Sequence, residues 1–384
     1  MKIFYWVKNL NHHHLYTMAS VEEQSGESVT YIITDIEDPV RKRQGWHKTD
    51  LSDKDVIILD KQRWQTESVR ILGQNKNAVH IFFGFWQERR WFLLILYGLL
   101  KGIKIAILQE PYNESAVGYQ KEELVITSKL KVIFRPLLYR MAASVINIAS
   151  LHSKPPCILP ISLIAHQQFI EAGFNIDSLF PFGYFVQRLN SVKDKKPNEF
   201  IRLVFVASLL KIKGLDVAIK AINNLSDISE KITLDVYGPG DPKLFIPNDS
   251  EKVQYKGVIP TEQAQNVIAN YDILLLPSRH DGWGLVVNEA LLQGVPAIVS
   301  DRVGAKCLIE RSGAGIVFRN EDTYQLSNIL ADLMTDPKKM ADMCNSAAVV
   351  GNQILPQNGA RYLLDVFGYY FFGVGVKPNA IWTG

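Results

Sequence analysis

Short runs of β-branched and aromatic residues alternate with longer stretches of helical periodicity, and this alternation runs twice along the chain. Apolar runs at 2–7, 29–34, 56–60, 79–83, 104–108 and 144–148 predict strands in the first half. Those at 202–206, 232–237, 253–255, 272–276, 297–300 and 315–318 predict strands in the second. Helical spacing between them predicts helices at 89–101, 215–224, 262–270, 285–292 and 324–334. Strands that are apolar throughout, separated by helices, argue for parallel sheets covered on both faces. One polar, Pro-containing stretch at 190–198 (NSVKDKKPN) interrupts the pattern and reads as a linker. The expected fold class is therefore α/β, with two Rossmann-like domains whose parallel sheets face each other across a cleft. The expected boundaries are 1–189, 190–359 and a tail at 360–384. That tail carries Tyr362, Phe367, Tyr369, Tyr370, Phe371, Phe372 and Trp382 and is expected to pack on a domain surface.

Composition narrows the class. A chain of 384 residues is long enough for two cores, and 47% hydrophobic with 21% charged residues is the balance of a globular protein. The net charge of +3, without a Lys/Arg run, gives no reason to expect a nucleic-acid partner. Cys157, Cys307 and Cys344 are widely spaced and form no CxxC, which fits a reducing cytoplasm and offers no metal site. The apolar run at the N-terminus is too short for a signal peptide, and the longest apolar stretch, 91–100, is about half of a membrane span. A cytoplasmic protein is expected, with room for contact at the inner face of the membrane.

The strongest chemical signal lies at 280–289, HDGWGLVVNE. It follows the strand at 272–276 and opens a helix near Leu285. Unpaired N–H groups at a helix start favour a phosphate, and Gly282 and Gly284 let the backbone approach one closely. Trp283 and Leu285 belong to the same loop. Asp281 and Glu289 add two carboxylates, poor partners for phosphate but good ones for the vicinal hydroxyls of a ribose or hexose. An Asp-Gly turn and a first-turn acid are each common on their own. Their order after strand, proline and glycines favours a site for a nucleotide diphosphate sugar. Lys213 follows the first strand of the second half in ASLLKIKG, where a compact cation can neutralise a diphosphate leaving group, and Lys211 is the nearer competitor for that role.

The stretches FVASLLKIKGLD, LDVYGPGD, VQYKGVIP and LPSRHDGWGLVVNEALLQGVPAIVSDRVG resemble the family 4 retaining glycosyltransferases of the GT-B fold, over about residues 201–318. The resemblance implies transfer of a hexose from a nucleotide diphosphate sugar to a hydroxyl acceptor, with retention and without a metal ion or other cofactor. A front-face mechanism, in which the diphosphate helps deprotonate the acceptor, fits that family. It implies that Asp281, in the first position of an E-x7-E motif, contacts the transferred sugar, while Glu289 binds the donor ribose. Ser208 and Lys213 stand where the family has an arginine and a lysine, so the diphosphate would lean on Lys213 and backbone amides. The first domain would bind the acceptor and the second the donor. Family context suggests a glycan or lipid-linked acceptor and a role in polysaccharide, lipopolysaccharide or lipid-linked oligosaccharide synthesis. A sugar-nucleotide epimerase and a non-catalytic partner subunit of the same fold stay open as alternatives.

The first domain resembles the family weakly. Its first loop reads KNLNHHHLYTM in place of a glycine pair. Neighbouring residues point in different directions, so His12, His13 and His14 are read as a loop cluster lining a cleft and not as a metal site. Glu110, after the strand at 104–108, is expected to face the cleft where the family often has a histidine. The segment from Arg89-Arg90-Trp91-Phe92 to residue 101 joins basic residues to an apolar helix, and Lys129, Lys131, Arg135 and Arg140 add charge nearby. Packing of that helix against a sheet is the expected reading; contact with anionic lipid is the other.

Overall fold

A computed structural model describes residues 1–10, 12–36, 51–85, 88–115, 125–189, 200–225, 231–247, 250–380 and 382. Two six-stranded parallel sheets organise them. The first contains β1 (Ile3–Val7), β2 (Val29–Ile33), β3 (Asp55–Ile58), β4 (Val79–Phe83), β5 (Lys104–Gln109) and β6 (Cys157–Pro160), in the order β3-β2-β1-β4-β5-β6. The second contains β7 (Ile201–Val206), β8 (Ile232–Tyr237), β9 (Val253–Gly257), β10 (Ile273–Leu276), β11 (Ala297–Ser300) and β12 (Gly315–Phe318), in the order β12-β11-β10-β7-β8-β9. Strand order reverses beside β1 in one sheet and beside β7 in the other, so each half is a doubly wound sheet with one switch point. Central strands such as β1, β4 and β10 are buried along their whole length, as helices on both faces require.

In the first half the helices are α1 (His12–Ser25), α2 (Trp64–Gln74), α3 (Arg89–Leu100), α4 (Val125–Ala149) and α5 (Ser162–Ala172). In the second they are α6 (Leu215–Asn223), α7 (Ala264–Ile268), α8 (Leu285–Leu292), α9 (Lys306–Glu310), α10 (Thr323–Thr335), α11 (Pro337–Gln353) and α12 (Pro356–Phe367). The predicted strand at 144–148 is corrected: SVINI lies in the last turns of α4, where Ile146 is buried against the sheet at helical spacing with Tyr139, Ala142 and Ala143. Tertiary packing overrides the local β-branched preference there. The sixth strand of the first sheet is instead β6, a short segment at the sheet edge that ends in Pro160, as edges tolerate.

The predicted linker at 190–198 lies outside the described residues. Residues 179–186, just before it, are far from linker-like: Phe180, Phe182, Tyr184, Phe185 and Val186 are buried in a core shared by both sheets. The chain then returns. The predicted tail boundary at 359/360 falls inside α12, which packs on α1 of the first domain. Beyond it, Tyr370 Oη donates to the Pro155 carbonyl at 3.0 Å, and Trp382 packs on Trp283 with ring centroids 5.4 Å apart. The aromatic tail thus touches both halves.

Candidate functional site

Ligands of doubly wound sheets sit beyond the carboxyl ends of the strands at the switch point. In the second domain those ends belong to β7 and β10, and the loops leaving them carry Lys213 and Asp281. Both residues line one cleft of about 390 Å³, together with Ser208, Gly282, Trp283, Gly284, Leu285 and Glu289. Lys211, the competitor of Lys213, does not border this space. Glu110 and Tyr184 close it from the first-domain side.

Charge inside the cleft is arranged with few partners to spare. Lys213 Nζ donates to Asp281 Oδ2 at 2.7 Å, with both side chains mostly buried. Lys213 is the only Lys or Arg among the described residues that border the cleft. Glu289 sits on the second turn of α8, 7% exposed, and burial pushes its carboxyl up to about 8. The adjacent His280 is also buried, and desolvation lowers its imidazole to about 4. From the opposite domain, Glu110 Oε1 accepts from Tyr184 Oη at 2.5 Å. Its other oxygen approaches to within 3.1 Å of where a Cβ on Gly282 would stand. Gly284 has φ 90°, and a Cβ there would come within 2.8 Å of Val303. Gly284 is demanded by backbone and close approach together, whereas a side chain at 282 asks only that the Glu110 carboxylate shift by a few tenths of an ångström.

Trp283 borders the cleft while its side chain is packed between the domains. Its ring is 2% exposed, and its Nε1 donates to Asn288 Oδ1 at 2.7 Å. Asn288 Nδ2 in turn donates to the Tyr184 carbonyl at 2.8 Å. The indole is a strut between the domains, which leaves its backbone and that of its glycine neighbours to the cleft. His14 is likewise a packed residue. It hydrogen-bonds Tyr5 Oη through Nδ1 at 2.6 Å and lies with its ring 4.4 Å from that of Phe83. The side chains of His12 and His13 lie outside the described residues. Among the described residues, no cluster of three His, Cys, Asp or Glu side chains has the spacing of a metal site.

Sequence reading passed over the residue that fixes the two loops to each other. Arg279, 6% exposed, donates to both oxygens of Asp216 at 2.8 Å and to Glu321 at 2.7 Å. Its backbone N–H donates to the Ile212 carbonyl at 2.7 Å. One buried guanidinium thereby locks the Lys213 loop against the Asp281 loop. Burial works against the charge of Asp216, but the Arg279 guanidinium prevails and holds the carboxyl below its usual range. Nothing local in SRHDG distinguishes this arginine from an exposed one, because its two carboxylate partners lie 42 and 63 residues away.

Residues 186–349 match the family model of the glycosyl transferases group 1. The chain is 27% identical over 183 residues to an uncharacterized 41.2 kDa protein in the cps region of Klebsiella pneumoniae, covering 45% of this chain and 51% of that protein. It is 27% identical over 190 residues to the amylovoran biosynthesis glycosyltransferase AmsK of Erwinia amylovora, covering 46% and 47%. The match thus spans about half the length of these curated relatives. Among solved structures, HepE from Anabaena in complex with UDP and glucose superposes with a TM-score of 0.66 at 12% identity, over 96% of this chain and 99% of that one. WaaG, a glycosyltransferase involved in lipopolysaccharide biosynthesis, gives a TM-score of 0.59 at 14% identity over 93% and 98%. The fold is GT-B, and the resemblance drawn from the second-domain motifs holds over that domain.

Proposed function

We propose that this chain is a retaining glycosyltransferase that moves a sugar from a nucleotide diphosphate sugar to a hydroxyl of a glycan or lipid-linked acceptor. The observation that carries the reading is the convergence of Lys213, Asp281, Glu289 and the backbone of 282–285 on one interdomain cleft. The amides at the start of α8 suit the diphosphate, and the Glu289 carboxyl, one turn further on, suits the ribose diol. Group 1 membership of the second-domain segment and relatives named for polysaccharide synthesis support the same reading.

In this reading the 2.7 Å pair of Lys213 and Asp281 is the resting state of the site. An incoming diphosphate carries more charge than one carboxylate and draws the ammonium to itself. Asp281 is then free to accept from a hydroxyl of the transferred sugar. As the bond from the anomeric carbon to the diphosphate oxygen breaks, its electron pair leaves with the nucleotide diphosphate. The acceptor oxygen bonds to the same face of that carbon, and its proton passes to the departing phosphate. Lys213 and the α8 amides oppose the developing charge, so the chemistry asks for no metal ion.

Incubation with a panel of nucleotide sugars and candidate acceptors tests this directly. Free nucleotide diphosphate together with a glycosylated acceptor, undiminished by a chelator, is the expected result. An isomerised donor would point to an epimerase, and no shift in Tm with any nucleotide sugar would remove the donor site altogether. Two variants separate the roles. Glu289→Ala is expected to weaken nucleotide diphosphate binding about tenfold or more, whereas Asp281→Ala spares that binding and lowers kcat.

A further inference from the structure

The helix α4 presents two faces that cannot both belong to a protein interior. Tyr139, Ala142, Ala143 and Ile146 are buried against the first sheet. On the opposite side Leu130, Ile133, Phe134, Leu137, Met141 and Ile148 are between 48% and 67% exposed. With Val145 between Met141 and Ile148, Leu130, Phe134, Leu137 and Met141 follow at steps of three and four residues, with Ile133 alongside, and make one continuous apolar stripe along the helix. A contiguous exposed stripe of this kind marks a surface that meets something apolar.

Charge says what that is. The helix contains no Asp or Glu, and its four basic residues border the stripe. Lys129 and Arg140 are eleven residues, about three turns, apart and share one flank; Lys131 and Arg135 are four residues apart and share the other. Apolar side chains along the centre with Lys and Arg on both edges is the pattern of a helix lying in the plane of an anionic bilayer. Length and composition of Lys129–Ala149 would also permit a membrane span. Burial of one face in the domain rules that out for the folded chain. A second copy of α4 docked face to face would bring two acid-free, basic-edged surfaces together, which repel.

We propose that the exposed face of α4 docks on an anionic lipid bilayer, with the stripe at the headgroup boundary and the basic side chains at lipid phosphates. The lipid surface thereby moves from α3, where the sequence first suggested it, to α4. In α3, Trp91, Leu94, Ile95 and Leu99 are buried, and Arg90 is held by Glu88 at 2.7 Å. Arg135 Nη1 donates to the Asn113 carbonyl at 2.6 Å, and the neighbouring Glu114 reaches Arg302 of the second domain at 2.8 Å. The bilayer-facing helix is thereby tied, through Asn113 and Glu114, to a contact between the two domains. This proposal stands on the surface of α4 and not on the transferase reading, so either can fail alone.

The test is co-sedimentation of the full chain with vesicles of phosphatidylcholine alone or mixed with phosphatidylglycerol, at low and high salt. Binding to the mixed vesicles is expected, reduced by salt and at least about tenfold stronger than to the neutral ones. Two double variants, Ile133→Ser with Leu137→Ser and Lys129→Glu with Arg140→Glu, are each expected to lose about tenfold. Because all four positions are exposed or border solvent, Tm and nucleotide-dependent shifts in Tm should match the parent chain and exclude misfolding. Equal binding by parent and variants overturns the proposal, as does indifference to lipid charge. A parent dimer that the Ser variant abolishes, without vesicle binding, would assign the stripe to a second copy instead.

Discussion

Glu289 has the least comfortable position of any acid in the cleft, and its discomfort is measurable. Desolvation pushes its carboxyl up to about 8, against roughly 4.3 for an unfolded chain. The folded state therefore holds a proton that the unfolded state has released throughout that interval. Stability must fall as pH rises from about 4.3 to 8 and level off above it, because the native chain binds more protons. Glu289→Gln keeps the shape without the titration. It is expected to raise stability by on the order of 2 kcal/mol at pH 8 and to leave it unchanged near pH 4.5, read from denaturant midpoints at the two pH values. Ligand binding should reverse the sign of the effect. Ribose hydroxyls donating to the carboxylate favour its charged form, so nucleotide diphosphate binding at pH 7 is expected to release close to one proton. Calorimetry in two buffers of different ionisation enthalpy reads this number directly. A binding enthalpy that does not change between buffers would take Glu289 away from the ribose.

At the scale of elements, the site is two loops held at a fixed distance by a buried arginine and a glycine. Gly214 has φ 75°, and a Cβ on it would fall 1.9 Å from the Pro277 carbonyl oxygen, on the strand end that leads to Asp281. Gly214→Ala combines left-handed backbone strain with a collision that only movement of one loop relieves. A loss of about 3 kcal/mol is expected in denaturant unfolding, with a rise in donor KM from the displaced Lys213. Unchanged stability and KM would mean that the two loops are not coupled. Elements of the second domain were legible because their signals are local: apolar β-branched strands, glycines at loop ends and a helix opening directly after Gly284. In the first domain SVINI reads as a strand, because three β-branched residues out of five, Val145, Ile146 and Ile148, give no hint that they complete a long helix. CILP is bracketed by prolines and too short to stand out. The candidate site divides in the same way. Lys213, Asp281 and Glu289 follow from their places after strands, whereas Arg279, Asn288 and Tyr184 act through partners far away in the chain.

Over the whole molecule, the two sheets do not behave as independent beads on a linker. Tyr184, Phe185, Trp283, Val303, Tyr362 and Trp382 belong to one buried cluster that also holds Tyr5, Ile81 and Leu159 of the first sheet. Relative motion is the default for a small polar interface between domains, yet an apolar core continuous across the junction couples the unfolding of both halves. A single thermal transition is therefore expected for the parent chain, shifted as a unit by nucleotide diphosphate although the proposed donor residues Lys213, Asp281 and Glu289 all lie in the second domain. Asn288 is the point at which this coupling meets the site. It is fully buried and joins the Trp283 indole at 2.7 Å to the Tyr184 carbonyl at 2.8 Å. Asn288→Ala leaves an N–H and a carbonyl buried without partners, which should cost about 3 kcal/mol. It also frees the backbone of 282–285 from the first domain, so nucleotide affinity is expected to fall although Asn288 does not border the cleft. Calorimetric scans with and without nucleotide check both statements. Two resolved transitions in the parent chain, only one of them moved by nucleotide, would show that the shared core does not bind the halves into one cooperative unit.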